Sequence, residues 1–359
     1  MNENFNDKSC NLEGLKEELE RVLSEKLSKE IKIREIKKIG TGYHSDGFKL
    51  TTKDGLEFFL KRIKSNDVGF EFPERKIASL LVSQSMANRI NHKSNIKSLG
   101  VFIHNIDFKE IPGADEESEI YQIQEFGGEG KSYLQILEGN TNKKNIDLKD
   151  KEEINKIIDY ITEIHKIKHP SQDKKRLDAV YNDFLRNVIG HPEYILQLFH
   201  DMPKDNTVLS PDKQGEFLTL MIENMHYFKN KSERLTAIHG DFWGANVFFN
   251  DNASMYVIDH SRMPWGDPGF DVGLFMGSYI ISYHKTKNPY FKELANYFLE
   301  RYIEKTGDKE VLNTMIYALG LIAVIYASPL HVPDISDETR KSVYLHIVKM
   351  LKQKRFSWD

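Results

Sequence analysis

The chain has one cysteine, Cys10, among 359 residues. A lone thiol cannot close an internal disulfide, and the polar start MNENFNDKSC lacks the apolar stretch of a secretory leader, so a cytoplasmic protein is expected. A strong excess of one charge is lacking too. The formal net charge is -4, which gives no electrostatic case for nucleic acid or an anionic membrane as partner. One run, Met315 to Leu330, is apolar almost throughout. It falls short of the ~18 to 20 residues a membrane span needs, and Pro329 closes it, so it reads as a buried core helix. Internal repeats and low-complexity tracts are absent. With 40% hydrophobic and 11% aromatic residues, the chain can bury a core and is long enough for two lobes.

Periodicity divides the chain. Leu12, Leu15, Leu19, Leu23 and Leu27 recur at helical spacing among charges, which predicts an amphipathic helix. From Ile31 the segments IKIREIKKIG, GFKLTT and LEFFLKRIK read as strands, the last two joined by a KDG turn. A helix is expected over Phe72 to Met86, then strands in SLGVFIHNIDF and EIYQIQEF. At EFGGEGKS the composition breaks into glycines, and helices dominate beyond it. Ile154, Ile157, Ile158, Ile161 and Ile164 mark the clearest of them. Others are expected over Tyr181 to Asn187, Gln214 to Lys229, Tyr290 to Lys305 and Lys309 to Ser328. In this half only VFFN and SMYVIDH, flanking a DNA turn, read as strands. The expected architecture is α+β and bilobal: a small antiparallel β-rich lobe over 1–126 and a larger, mainly helical lobe over 127–359.

GGEGKS looks like the end of a phosphate-binding loop, but that motif requires a glycine where Glu125 stands, and a carboxylate there would face the phosphates. The helical second half also lacks the alternating β-α pattern such a loop belongs to. A flexible inter-lobe turn is the better reading.

The chemistry concentrates in HGDFWGANVFFNDNASMYVIDHSRMPWGDPGFD, residues 239–271. Asn246 enters the VFFN and SMYVID hairpin and Asp259 leaves it, so both fall at one end of the hairpin. An amide oxygen and a carboxylate there form the hard, oxygen-rich pocket that holds magnesium through few protein ligands. Asp241, on the preceding loop, is placed to accept a hydroxyl proton. The N-terminal half adds Gly40, Gly42 and Gly47 between two strands, Lys61 on the next strand, and Glu71 and Glu74 at the start of a helix. A strand lysine alone is usually just solvated. The order of glycine turn, strand lysine, helix glutamate, hinge, Asp-Asn loop and strand-end Asp is that of kinase-type phosphoryl transfer.

At these residues the chain resembles the aminoglycoside phosphotransferase and choline kinase superfamily, the small-molecule branch of the protein-kinase-like fold. HGDFWGAN, VIDH and WGDPGFDVG carry the match strongly, residues 39–126 more loosely, and ITEIHKIK with His165 is similar to the family's helix ending in Leu-His. The resemblance implies ATP and Mg2+ as cofactors, Asp241 as catalytic base, and Asn246 and Asp259 as metal ligands. It implies that Lys61 contacts the α- and β-phosphates, steadied by Glu74 or Glu71, and that the backbone of Gln124, Glu125, Phe126 and Gly127 receives adenine. It makes His239 structural and Asp271 the brace of the catalytic loop. The chain departs from the pattern at His260, where many relatives have an aromatic residue or proline, and in its irregular glycine loop.

Rival readings leave more unexplained. Read as a pseudokinase scaffold, the chain should show a degraded catalytic set, and it does not. A two-metal phosphohydrolase using His239, Asp241, Asp259 and His260 would leave the glycine turn and Lys61 without work. A protein kinase would have HRD and an activation segment ending in APE. The acceptor is therefore expected to be a hydroxyl of a small molecule: a sugar, amino-sugar, aminoglycoside or choline-like compound. Trp243, Trp265 and Asp267 are candidate lining groups. HGDFW is similar to the fructosamine kinase pattern, and GFDVGLFMGSYIISY to a segment of methylthioribose kinases, which tend to have serine at the position of Asn246. A sugar hydroxyl is the first expectation.

Overall fold

The computed structural model describes residues 12–41, 45–64, 73–104, 119–260 and 262–358. The glycine-turn position Gly42, the alternative ion-pair partner Glu71 and the lone Cys10 lie outside them. The chain falls into two compact units: residues 1–84 with 96–127, and residues 85–95 with 128–359.

The first unit is an antiparallel sheet with a helix on it. Strands β1 (Ile33–Thr41), β2 (Ser45–Thr52), β3 (Glu57–Ile63), β4 (Ser98–His104) and β5 (Glu119–Glu125) are ordered β1-β2-β3-β5-β4. Helix α1 (Leu12–Leu27) sets Leu15, Leu19 and Leu23 fully buried beside Leu50, Leu60, Tyr121 and Ile123. The leucine spacing thus becomes a helix because the sheet offers an apolar face to cover. Helix α2 (Pro73–Arg89) follows β3, and its residues from Ser85 belong with the second unit.

In the second unit, β6 (Lys131–Ser132) joins β8 (Val247–Phe249) and β9 (Met255–Val257) in a three-stranded sheet. The glycine-rich segment thus ends in a strand. The Ser132 side chain then caps α3 (Tyr133–Gly139) in a reciprocal box with Gln135, which commits the hydroxyl that a phosphate-binding loop would need. Helix α4 (Leu148–Lys166) buries all five expected isoleucines. Helices α5 (Lys174–Gly190), α6 (Ile195–Asp201) and α7 (Pro211–Phe228) lead to β7 (Thr236–Ala237), which pairs with β10 (Trp265–Gly266). Among the described residues, three short strands therefore occur in this half beyond the expected hairpin.

Helix α8 (Pro268–Thr286) is buried on nearly every side, and α9 (Tyr290–Thr306) packs along it and α4. The helix expected over Lys309 to Ser328 is broken into α10 (Val311–Thr314) and α11 (Ile316–Ala327). The break faces α8, where a Cβ on Gly269 would lie 2.1 Å from Thr314 Oγ1 and one on Gly273 2.2 Å from the Met315 carbonyl oxygen. Backbone approach this close requires glycine. The apolar run beginning at Met315 is core: Ile316 to Val324 are all buried. Helix α12 (Asp337–Gln353) closes the unit. Among the described residues no helix is long and apolar enough to cross a membrane.

Candidate active site

The site in the second unit is a loop held by its peptide groups. Asp271, four residues into α8 and fully buried, accepts the His239 N–H at 2.7 Å and the Gly240 N–H at 2.9 Å. His165, in the last turn of α4, meets the same carboxylate through Nε2 at 3.2 Å, and its Nδ1 meets the Tyr302 hydroxyl at 2.8 Å. Asp271 thus ties the loop to two helices. Gly240 turns the loop with φ +80, and a Cβ there would sit 2.8 Å from both N and O of Met263, so the position admits only glycine.

The turn directs His239 inward. Its Nε2 donates to the Ile258 carbonyl at 3.0 Å, and its Nδ1 accepts the Asp241 N–H at 3.2 Å. One nitrogen donating and the other accepting defines the neutral tautomer. Burial, more than any neighbour, holds the imidazole below its ordinary range.

Asp241 is buried, with a different donor on each carboxylate oxygen. Asn246 Nδ2 reaches Oδ2 at 3.1 Å and Arg262 Nη1 reaches Oδ1 at 2.9 Å. Burial lifts this carboxyl to about 6; Arg262 opposes the rise, while the nearby charges of Asp259 and Glu193 add to it. Such a group is mainly ionised at neutral pH yet holds a proton better than a surface aspartate, which suits a general base.

The hairpin brings Asn246 and Asp259 to one end. Val247 pairs with Val257, and the Ile258 N–H donates to the Asn246 carbonyl at 3.1 Å, one residue before Asp259. Asn246 spends its amide nitrogen on Asp241, on the backbone oxygen at 2.8 Å as well as on Oδ2. That leaves the amide oxygen as the atom with which it can ligate. Asp259 adopts a left-handed backbone, φ 68, which costs a non-glycine residue about 1–2 kcal/mol and is typical of functional turns. This donor set of hard oxygens fits a divalent cation such as Mg2+.

The first unit holds the other candidates. Lys61 is buried on β3, opposite Gly47 on one side and Gln122 on the other. Gly47 pairs with Gly40, and a Cβ on Gly47 would meet the Phe59 ring at 2.8 Å. On β2, next to Gly47, Asp46 is bonded by Arg62 at 2.6 Å and Lys38 at 2.8 Å. These contacts outweigh burial and bring its carboxyl down to about 2, so an ion cluster ties β1, β2 and β3 together. Glu74 is exposed in the first turn of α2. At the end of β5, Gln124 Nε2 donates to Gln122, the Glu125 N–H donates to the Lys97 carbonyl, and Phe126 lies under Lys49 Nζ at 4.6 Å. Gly127 closes this unit.

Trp243 is half-buried beside Asp241. Trp265 is half-buried between His169 and Arg89, with ring contacts at 4.8 and 5.2 Å. Asp267 is buried as the N-cap of α8, where its carboxylate accepts the Gly269 N–H, the Tyr181 hydroxyl at 2.8 Å and Arg234 Nε at 2.7 Å. The Nε2 of His260 lies between Asn95 Oδ1 at 2.9 Å and the Tyr160 hydroxyl at 3.0 Å. Arg262 and Glu193 were not among the residues the sequence singled out. The one available signal was an arginine three residues past Asp259 inside an otherwise acidic stretch.

Over residues 119–309, more than half its length, the chain matches the phosphotransferase enzyme family. It belongs to that family, and its fold is that of the kinases and phosphotransferases with which it aligns. Comparison with curated proteins yields no match. Among solved structures, a thermostable mutant of aminoglycoside phosphotransferase APH(4)-Ia aligns at TM-score 0.52 and 14% identity, covering 93% of this chain and 98% of that one. Plasmodium vivax ethanolamine kinase aligns at TM-score 0.57 and 12% identity over 89% and 84% of the two chains. Amicoumacin kinase hAmiN, in complex with AMP-PNP, Ca2+ and Ami, aligns at TM-score 0.53 and 12% identity over 89% and 88% of the two chains. At these identities the neighbours establish the fold.

Proposed function

We propose that the protein transfers the γ-phosphoryl group of ATP to a hydroxyl of a small molecule, with Asp241 as the base. The observation that carries the reading is the placement of Asp241: buried, given one donor per oxygen by Asn246 and Arg262, on a loop clamped by Asp271. The acceptor hydroxyl gives its proton to Asp241 as its oxygen attacks the γ-phosphorus, and the β–γ bridging oxygen leaves with ADP. Asn246 and Asp259 would hold Mg2+, which neutralises phosphate charge when bound. Lys61 would supply a further cation for the α- and β-phosphates, with Glu74 as its partner, while Gly40, Gly42 and Gly47 would let backbone N–H groups approach them. The backbone from Gln124 to Gly127 would receive adenine.

A sugar hydroxyl is the first acceptor class. Half-buried Trp243, two residues from the base, offers an aromatic face of the kind that stacks on a sugar ring. The two-metal hydrolase is disfavoured by the imidazoles: His239 has both nitrogens engaged, and His260 spends Nε2 on Asn95 and Tyr160.

The test is magnesium-ATP consumption by the purified protein across sugars, amino-sugars, aminoglycosides and choline, with Asp241→Asn as control. The variant is expected to bind ATP and lose transfer by at least about 100-fold. Turnover at the wild-type rate would remove Asp241 from the role of base.

A further inference from the structure

Arg262 is a half-buried cation with two carboxylate neighbours. Its Nη1 donates to Asp241 Oδ1 at 2.9 Å, and its Nε lies 2.9 Å from Glu193 Oε2, a charge contact without the alignment of a hydrogen bond. Glu193 belongs to the short connection between α5 and α6, more than forty residues upstream of the loop. The next residue, Tyr194, donates its hydroxyl to the Gly240 carbonyl at 3.2 Å and sets its ring 5.2 Å from the Arg262 guanidinium.

A guanidinium facing one carboxylate frequently adopts the two-pronged pairing, with both carboxylate oxygens taken. That is not the arrangement here. Glu193 anchors the guanidinium at Nε, which fixes its orientation with Nη1 on Asp241 Oδ1, and among the described residues Oδ2 meets the Asn246 amide. The second carboxylate also balances a positive charge that would otherwise draw Asp241 into a tighter pair.

We propose that Glu193 is a positioning residue of the phosphotransfer site, holding Arg262 end-on so that the Asp241 carboxylate keeps an open edge toward the acceptor hydroxyl. Glu193 acts through Arg262. The inference rests on the reading of Asp241 as the base.

Two readouts on Glu193→Gln test it. In a crystal structure of the variant, Arg262 is expected to swing onto Asp241 and contact both carboxylate oxygens; the single Nη1 to Oδ1 contact persisting unchanged overturns the proposal. In steady-state assays with the acceptor found by screening, kcat is expected to fall about ten-fold while KM for magnesium-ATP stays within about two-fold, and Glu193→Asp, which keeps the charge, is expected to recover most of the loss. A wild-type kcat in Glu193→Gln overturns the proposal as well. If Glu193→Gln does not fold, Glu193→Ala takes both tests, with the same expected and overturning outcomes. Asp241→Asn, assayed alongside, reports on the base itself, and the crystallographic arm does not depend on turnover, so failure of the two assignments can be told apart.

Discussion

Asp271 accepts the backbone N–H of His239 at 2.7 Å, across 32 residues of sequence. The partner group is a peptide that every residue at that position but proline would supply. Replacing Asp271 by Asn turns one of two acceptor oxygens into a donor facing an N–H, leaving a buried amide unmet at about 1–3 kcal/mol. The expected outcome is a lower thermal midpoint and a kcat reduced at least about ten-fold, read by calorimetry and ADP release. A variant equal to wild type in both would show that the loop is held by other means.

Gly240→Ala is expected to do comparable harm by another route. Its φ of +80 costs alanine about 1–2 kcal/mol, and the added methyl would sit 2.8 Å from the Met263 backbone. Loss of turnover together with a falling midpoint in denaturant is the outcome to look for, and full activity would mean that the turn relaxes freely.

Asp267 gives a contrasting prediction. Arg234 bridges it to Asp308, with contacts of 2.7 Å and 2.8 Å, and this pairing outweighs burial to hold the Asp267 carboxyl below its usual range. Breaking one side of a buried ion network typically costs about 3–5 kcal/mol. Asp267→Asn should therefore lower stability sharply while the folded fraction keeps its KM for the acceptor. A large rise in that KM at unchanged stability would return Asp267 to the acceptor site.

Acid should weaken the fold through its buried histidines. His284 accepts from the Ser342 hydroxyl and meets His346 at 2.9 Å, and burial with His346, Lys287 and Lys292 nearby brings it down to about 4. His239, His92 and His169 are lowered too, each chiefly by burial. Unfolded histidine takes its proton near about 6.5, so as pH falls from there toward about 4 the unfolded chain binds protons that the folded chain refuses, and stability drops. Asp241 and Glu153, both raised by burial, work in the opposite direction. Urea denaturation of wild type and His284→Gln at about pH 7.5 and 5 isolates one share of the effect. The loss between the two conditions should be smaller in the variant, and an equal loss would clear His284 of any part.

What could be read from the sequence was what repeats at short range. The leucines of α1 and the isoleucines of α4 are buried at the spacing that announced them, because one face of each helix meets a core and the other meets water. Helix α8 gave no such signal, since it is buried on nearly all sides and a helix without a wet face has no period to read. The break at Met315 was hidden for a related reason: it depends on Gly269 and Gly273, more than forty residues earlier. In the site, Asp241, Asn246 and Asp259 stand close together in one segment and could be picked out there. Arg262 and Glu193 could not, because an ion pair between residues 69 positions apart follows no spacing rule and emerges only when α5 and α6 have folded against the loop.

The brace from Asp271 has a consequence for how this enzyme can change. It grips His239 and Gly240 by amide protons and reads no side chain at either position. Trp243, the residue proposed above to line the acceptor site, takes no part in the clamp and can be exchanged without loosening it. On the proposed assignment, the geometry of the reaction and the choice of substrate lie in separate parts of the same short loop, so that a library varying Trp243 is expected to sample new acceptors on an unchanged catalytic frame.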